Sequence, residues 1–219
     1  MGQFNQSKYC AILAMTESGL VGKKNGLPWK CSLDMGIFQR ITMGHPVVMG
    51  RATTMGMKNF PLPGRKCGII SESAFHGRVS HGSFFVDDNG VNNFHTIGMA
   101  MHHYDQINET TFVAGGRHIF DQVFRDARLD TVVLTTFPDG FCDGDVYLDP
   151  ATVDIINGPD FIAVESARYT LSDNKLSYYL NGDANMREWP ILHRLKPGDT
   201  PFPTIDCKIL RHKHFGLAM

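Results

Sequence analysis

Gly26-Leu27-Pro28-Trp29-Lys30-Cys31-Ser32-Leu33-Asp34-Met35-Gly36-Ile37-Phe38 sets one carboxylate five residues after an indole and four before a phenyl ring. Pro28 holds the residue before it extended, so Gly26 to Trp29 reads as a loop, and Ser32 is placed to cap a helix running to about Gly44. On that helix Asp34 and Phe38 share a face, beside an apolar stripe of Leu33, Ile37 and Ile41. Asp34 therefore lies at the margin of the core. An acid in a first helical turn is favoured by the dipole and is commonly solvated; the other reading is a functional carboxylate in an apolar pocket.

The rest of the chain narrows the classes available. Its 219 residues, 42% hydrophobic and 20% charged, suit one domain with additions, or at most two small ones, able to bury roughly 70% of the unfolded surface without staples. A formal charge of -1 gives no electrostatic footprint for nucleic acid or an anionic membrane. Any anion must be met by local groups. Five cysteines, an odd number without CxxC spacing, point to reduced thiols and a cytoplasmic setting. The first residues carry no apolar signal core, and Gln6 departs from the myristoylation pattern, so neither export nor a lipid anchor is expected.

Tyr9 to Met15 is a short, continuous apolar run of the kind found in a strand buried on both faces, and Pro46 to Gly50 is a second. Lys66 to Ser71, Ser83 to Val86, Thr111 to Ala114 and Thr131 to Phe137 read as further strands. A helix is expected from about Val91 to Met101, capped by Asn92 or Asn93, and another after Gly115-Gly116, with Ile119, Phe120, Val123 and Phe124 inward. Phe161 to Tyr169 and Ile205 to Lys213 read as an antiparallel pair. The expected fold is α/β: a central, mostly parallel sheet of about eight strands with an antiparallel C-terminal pair and helices on both faces. Residues 1–219 form one domain, and the polar, proline-bearing stretch from about 170 to 203 reads as an insertion between the last two strands.

The order of these motifs resembles dihydrofolate reductase. The likeness rests on the loop Val21-Gly22-Lys23-Lys24-Asn25-Gly26-Leu27-Pro28-Trp29, on Asp34 and Phe38, and on Pro46 to Thr54. Pro61-Leu62-Pro63-Gly64-Arg65-Lys66 and Ala114-Gly115-Gly116 complete it, over roughly residues 8 to 169 and again in the last strand. Each motif alone is common; their joint order and spacing are specific. The resemblance implies reduction of 7,8-dihydrofolate to tetrahydrofolate, a hydride passing from NADPH to pterin C6 and a proton to N5.

In such an enzyme Asp34 would take two hydrogen bonds from the pterin, since a carboxylate offers two acceptors in one plane. Burial should raise its pKa. Leu27 and Trp29 would form a lid, and a water beside Trp29 would deliver the proton while Asp34 polarises the ring. Ile12, Met35, Phe38, Leu62 and Ala114 would border the substrate, Thr135 would support Asp34, and Arg65 would grip the glutamate-tail carboxylate with its planar fork.

The resemblance places the cofactor against Ala14, Val21, Gly22, Gly50, Arg51, Ala52, Thr53, Ser71, Glu72 and Ser73 on one side. Ala114, Gly115, Gly116, Arg117, His118, Ile119 and Phe120 lie on the other, with the Gly-Gly bond cis. Backbone N–H groups at the two strand-to-helix turns suit phosphate. No nucleic acid, membrane or metal is expected, and the protein is read as a monomer with 170–203 open to a protein partner. His212 and His214 face one way on a strand but lack a third ligand at metal spacing. Two other readings remain at this point: a pyrimidine reductase sharing the nucleotide half, and a pterin- or nucleotide-binding structural component.

Overall fold

The computed structural model describes residues 8–24, 26–75, 84–106, 109–172, 175–181, 199–200 and 202–214. Tyr9–Thr16 (β1) divides its side chains between two cores: Tyr9, Ala11, Leu13 and Met15 enter one, Cys10 and Ile12 the other. Side chains alternate along a strand, so an unbroken apolar run needs cover on both faces. That cover comes from helix α1 (Ser32–Thr42) on one face. On the other lie α3 (Ile97–Asp105), α4 (Arg117–Val123) and α5 (Pro150–Asn157), while α2 (Arg51–Met55) follows the third strand.

The remaining strands are β2 (Leu20–Gly22), β3 (Pro46–Gly50), β4 (Lys66–Ile70), β5 (Phe84–Val86), β6 (Asn92–Phe94) and β7 (Thr111–Val113). They continue with β8 (Thr131–Phe137), β9 (Val146–Tyr147), β10 (Phe161–Ser172), β11 (Lys175–Asn181) and β12 (Thr204–His212). Ten of them form one sheet in the order β11-β10-β12-β8-β1-β7-β3-β4-β6-β5, and β2 pairs with β9 in a small separate ribbon. The strands from β8 to β6 in that order are parallel. Antiparallel pairing closes both ends, through β12, β10 and β11 at one and β5 at the other.

The mostly parallel sheet with its antiparallel C-terminal strands is as expected, with ten strands instead of about eight. The extra strands are β6 and β11. The helix expected from Val91 to Met101 is two elements. Val91, Phe94, Ile97 and Met101 keep a helical spacing, but Asn92, Asn93 and Phe94 pair with Gly68, Ile69 and Ile70 of β4. The helix begins only at Ile97, capped by the Thr96 hydroxyl, which accepts from Met99 N at 3.2 Å. Neither Asn92 nor Asn93 caps it.

At α1 the expected cap also moves. Ser32 is the first helical residue, and the extended Cys31 precedes it with no side-chain cap bond. The helix stops at Thr42, short of Gly44, where the Thr42 hydroxyl donates to Phe38 O at 2.7 Å. Of the stretch 170–203, residues 170–172 complete β10 and 175–181 form β11, while 173–174, 182–198 and Pro201 lie outside the described residues, as does Ser83. All five cysteines are free thiols.

Phe94 is fully buried, with ring centroids 5.6 Å from Phe84 and 5.7 Å from Tyr104. Phe94→Ala is expected to lower unfolding stability by about 3–5 kcal/mol in urea titration, and Val86→Ala, at an exposed edge position, by less than about 0.5 kcal/mol. Equal effects would contradict the placement of β6 in the core.

Candidate active site

Trp29 ties the loop before α1 to the end of β8. Its ring lies 4.4 Å from Phe137 and stacks at 6.1 Å on Phe141, and it is buried. The loop is thereby pinned at its far end while Leu27, two residues earlier, is 50% exposed. Four residues of extended chain and helix start then bring Asp34 up beside the same apolar cluster, where it is only 9% exposed.

Two opposing effects act on this carboxylate. Burial raises its pKa to about 6, while the Thr135 hydroxyl and then the Trp29 indole N–H favour the ionised form. A place in the first turn also favours charge. Desolvation outweighs all three. Trp29 Nε1 is buried and has no hydrogen-bond partner among the described residues, so it acts on Asp34 as a nearby donor and not through a completed bond.

Ile12, Ala14, Phe38, Leu62 and Ala114 join Trp29 in the cluster beside Asp34, drawn from β1, α1 and two loops. Met57 and Phe60 pack there too. Met35 does not join them; the helix turns it outward, 47% exposed. Arg65 is half-buried and reaches back to the end of α1, where Nη1 donates to Gln39 O at 3.3 Å and Thr42 Oγ1 at 3.4 Å. Its Nε is buried without a partner, and burial lowers its pKa.

A second constellation forms where β3 and β7 end side by side. Gly50 N donates to Gly115 O at 2.6 Å, and the Gly115-Gly116 peptide is cis. The approach leaves no room for side chains: a Cβ on Gly116 would stand 2.8 Å from Thr53 Oγ1, and one on Gly50 3.0 Å from Ile119 Cγ1. Gly115 has φ +95°, which L side chains rarely adopt. Beside this corner Arg51 Nη1 donates to Ser73 Oγ at 3.0 Å, and Ser73 Oγ lies 3.2 Å from Ser71 Oγ.

Ala52 and Glu72 are exposed at its rim, and Ser71 is buried. Arg117 and His118 are exposed on α4, Arg117 pairing with Asp121 at 3.4 Å. Ile119 and Phe120 direct their side chains into the core. Val21 is half-buried at its edge, and Gly22 accepts from Asp145 N at 3.1 Å.

Three residues in contact with this region escaped the sequence reading. Asp199 and Thr200 hydrogen-bond Ser32 and Lys30, and Phe202 is buried with its ring 6.2 Å from Phe137. Asp199 and Thr200 lie 167 and 170 positions from the residues they bond, with no periodicity to mark them.

Among known families, the one described as dihydrofolate reductase matches residues 8–180. Dihydrofolate reductase type 8 of Escherichia coli is 33% identical over 145 residues, 64% of this chain and 80% of that protein. The bifunctional dihydrofolate reductase-thymidylate synthase of Paramecium tetraurelia is 32% identical over 127 residues, 58% of this chain; the match spans only 25% of that longer protein. The structure of a dihydrofolate reductase from Enterococcus faecalis complexed with NADP(H) and RAB-propyl shares the fold. Its TM-score is 0.64 at 19% identity, over 95% of this chain and 98% of that one.

Asp34 has a folded pKa above its ordinary value of 3.8, so its burial destabilises the protein wherever it is ionised. The penalty is absent below about pH 4, grows to about pH 6, and reaches about 3 kcal/mol above that. Asp34→Asn is therefore expected to be the more stable protein in urea unfolding at about pH 7.5, by up to that amount, and to lose the advantage toward about pH 4. An advantage independent of pH would contradict the assignment.

Proposed function

The chain belongs to the dihydrofolate reductase family, and from that premise we propose that it reduces 7,8-dihydrofolate to 5,6,7,8-tetrahydrofolate with NADPH, Asp34 anchoring the pterin. The observation that carries this reading is a buried carboxylate with its pKa near 6, flanked by an indole N–H without a partner. Among the described residues none completes a hydrogen bond with that indole, which leaves its N–H for an occupant of the site.

Asp34 would accept from the pterin 2-amino group and the adjacent ring nitrogen, fixing the ring's orientation and polarising it. In an apolar surround such a charge-assisted pair is stronger than in water. A water held at Trp29 would hand its proton to N5. Thr135 steadies the carboxylate by its hydroxyl, Ile12, Phe38, Leu62 and Ala114 form the walls, and Leu27 covers the entrance. Met35, exposed at the rim, reaches only the outer part of the substrate. Arg65 is half-buried and commits Nη1 to the end of α1, which leaves Nη2 of its guanidinium fork for the glutamate-tail carboxylate.

When bound, NADPH supplies the hydride. The residues that would hold it fit that role on this chain's own geometry: the Gly50, Gly115 and Gly116 corner, where added Cβ atoms would collide, lets backbone approach a phosphate closely. Arg51, Ser71 and Ser73 would meet the 2′-phosphate, with Thr53 and Ala14 alongside. Ile119 and Phe120 shape this corner from within the core, and Arg117 and His118 remain at its rim. Among the described residues no helix is long and apolar enough to cross a membrane. We read the protein as a cytoplasmic monomer, a single domain whose stretch from about 170 to 203 is an insertion open to a protein partner. Neither the pyrimidine reductase nor the structural component has an observation in its favour.

The test is oxidation of NADPH with and without dihydrofolate. Turnover is expected only with dihydrofolate, and Asp34→Asn is expected to fold and lose roughly 10²–10³-fold in kcat/KM at about pH 7. Near-normal turnover by that variant would overturn the role of Asp34, and oxidation independent of dihydrofolate would overturn the function.

A further inference from the structure

Helix α1, which carries Asp34, opens without a cap of its own. Cys31 stands in the N-cap position and contributes no side-chain bond, although the first backbone N–H groups of a helix need acceptors. The acceptor comes from another part of the chain. Asp199 Oδ2 accepts from Ser32 N at 3.2 Å and Asp199 Oδ1 accepts from Ser32 Oγ at 2.9 Å, so one carboxylate holds the first helical residue at two points.

The next residue extends the clasp: Lys30 N donates to Thr200 Oγ1 at 2.9 Å and Thr200 N donates to Lys30 O at 2.7 Å. The Cys31 thiol is pushed up to about 12, first by burial and in part by the Asp34 and Asp199 carboxylates, which places the two acids around one short segment. Ser32 lies two residues before Asp34 and three after Trp29. Whatever fixes Ser32 fixes the spacing between the indole and the catalytic carboxylate.

We propose that Asp199 is a positioning residue for the reduction, acting through its two hydrogen bonds to Ser32 to hold the first turn of α1 and thus Asp34 against Trp29. The proposal rests on the dihydrofolate reductase reading. Acting through Ser32, Asp199 replaces the missing cap with an anion at the positive end of the helix. Without it the first turn frays, water reaches Asp34, and the carboxylate no longer meets the pterin at a fixed distance.

The experiment compares Asp199→Ala, Asp199→Asn, Ser32→Ala and the double alanine variant in the full chain. The steady-state readings are kcat and KM for dihydrofolate and for NADPH, and the pH profile of kcat/KM. Asp199→Ala is expected to lower kcat/KM for dihydrofolate roughly ten- to a hundredfold, with KM for NADPH unchanged. Its pH profile should move to lower pH, as Asp34 returns toward an ordinary carboxylate. Ser32→Ala should add little on top, because both changes break one contact. Asp199→Asn, which keeps an acceptor for Ser32, should recover much of the loss, and it carries the test if the alanine variant does not fold.

A lower melting temperature with unchanged kinetics and pH profile would overturn the proposal, as would additive effects of the two alanine substitutions. If the unsubstituted protein shows no dihydrofolate-dependent oxidation, the functional reading fails first and takes this inference with it. Normal turnover with an indifferent Asp199→Ala sinks the inference alone.

Discussion

The rest of the site depends on one unfavourable act: a carboxylate is taken out of water at the first turn of α1. In solvent Asp34 would be a stabilising first-turn acid. Held against Trp29, Phe38 and the strand carrying Thr135, it is instead a group whose charge is poorly solvated, with its pKa lifted to about 6. A partner that supplies two coplanar donors relieves that condition, and a pterin ring has them. In the proposed reading, the affinity for a pterin and the cost to stability of burying Asp34 share one cause.

Keeping the carboxylate there requires anchors on both sides. Trp29 is wedged on Phe137 and Phe141 at the end of β8, and Asp199 secures Ser32 from the chain's C-terminal third. Both lie where the central parallel strands give way to the antiparallel strands β12 and β10. On the far side of β1, the ends of β3 and β7 meet at Gly50 and Gly115 closely enough to exclude side chains. The two constellations therefore flank β1 and its neighbours at one end of the sheet, as ligand sites in parallel α/β sheets do.

Much of this was legible in the chain itself. The doubly apolar run from Tyr9 to Met15 and its equivalents at 46–50 and 131–137 announced central strands, because burial on both faces leaves no polar alternation. What failed did so for local reasons. Three residues of β6 are too few to show a period of two, and their one apolar member, Phe94, happened to continue the spacing of α3. Ser32 looked like a cap because its type favours that position, but chain geometry set it one residue inside the helix and gave its hydroxyl to Asp199.

The site was legible as a set of motifs and not as a geometry. Asp34, Trp29 and Arg65 could be named from their spacing within the resemblance, yet whether Asp34 is solvated or buried depends on packing from residues as distant as Phe137 and Thr135. The meeting of Gly50 with Gly115, and of Ser32 with Asp199, is fixed by strand order, which one sequence does not display. Met35 shows the converse: its neighbour Asp34 points inward, so the same turn sends Met35 out. The most direct test of the account is the titration of the Asp34 carboxyl carbon by NMR in the ligand-free protein. A midpoint near 6 is the predicted result, and a midpoint near 4 would show a solvated acid and contradict it.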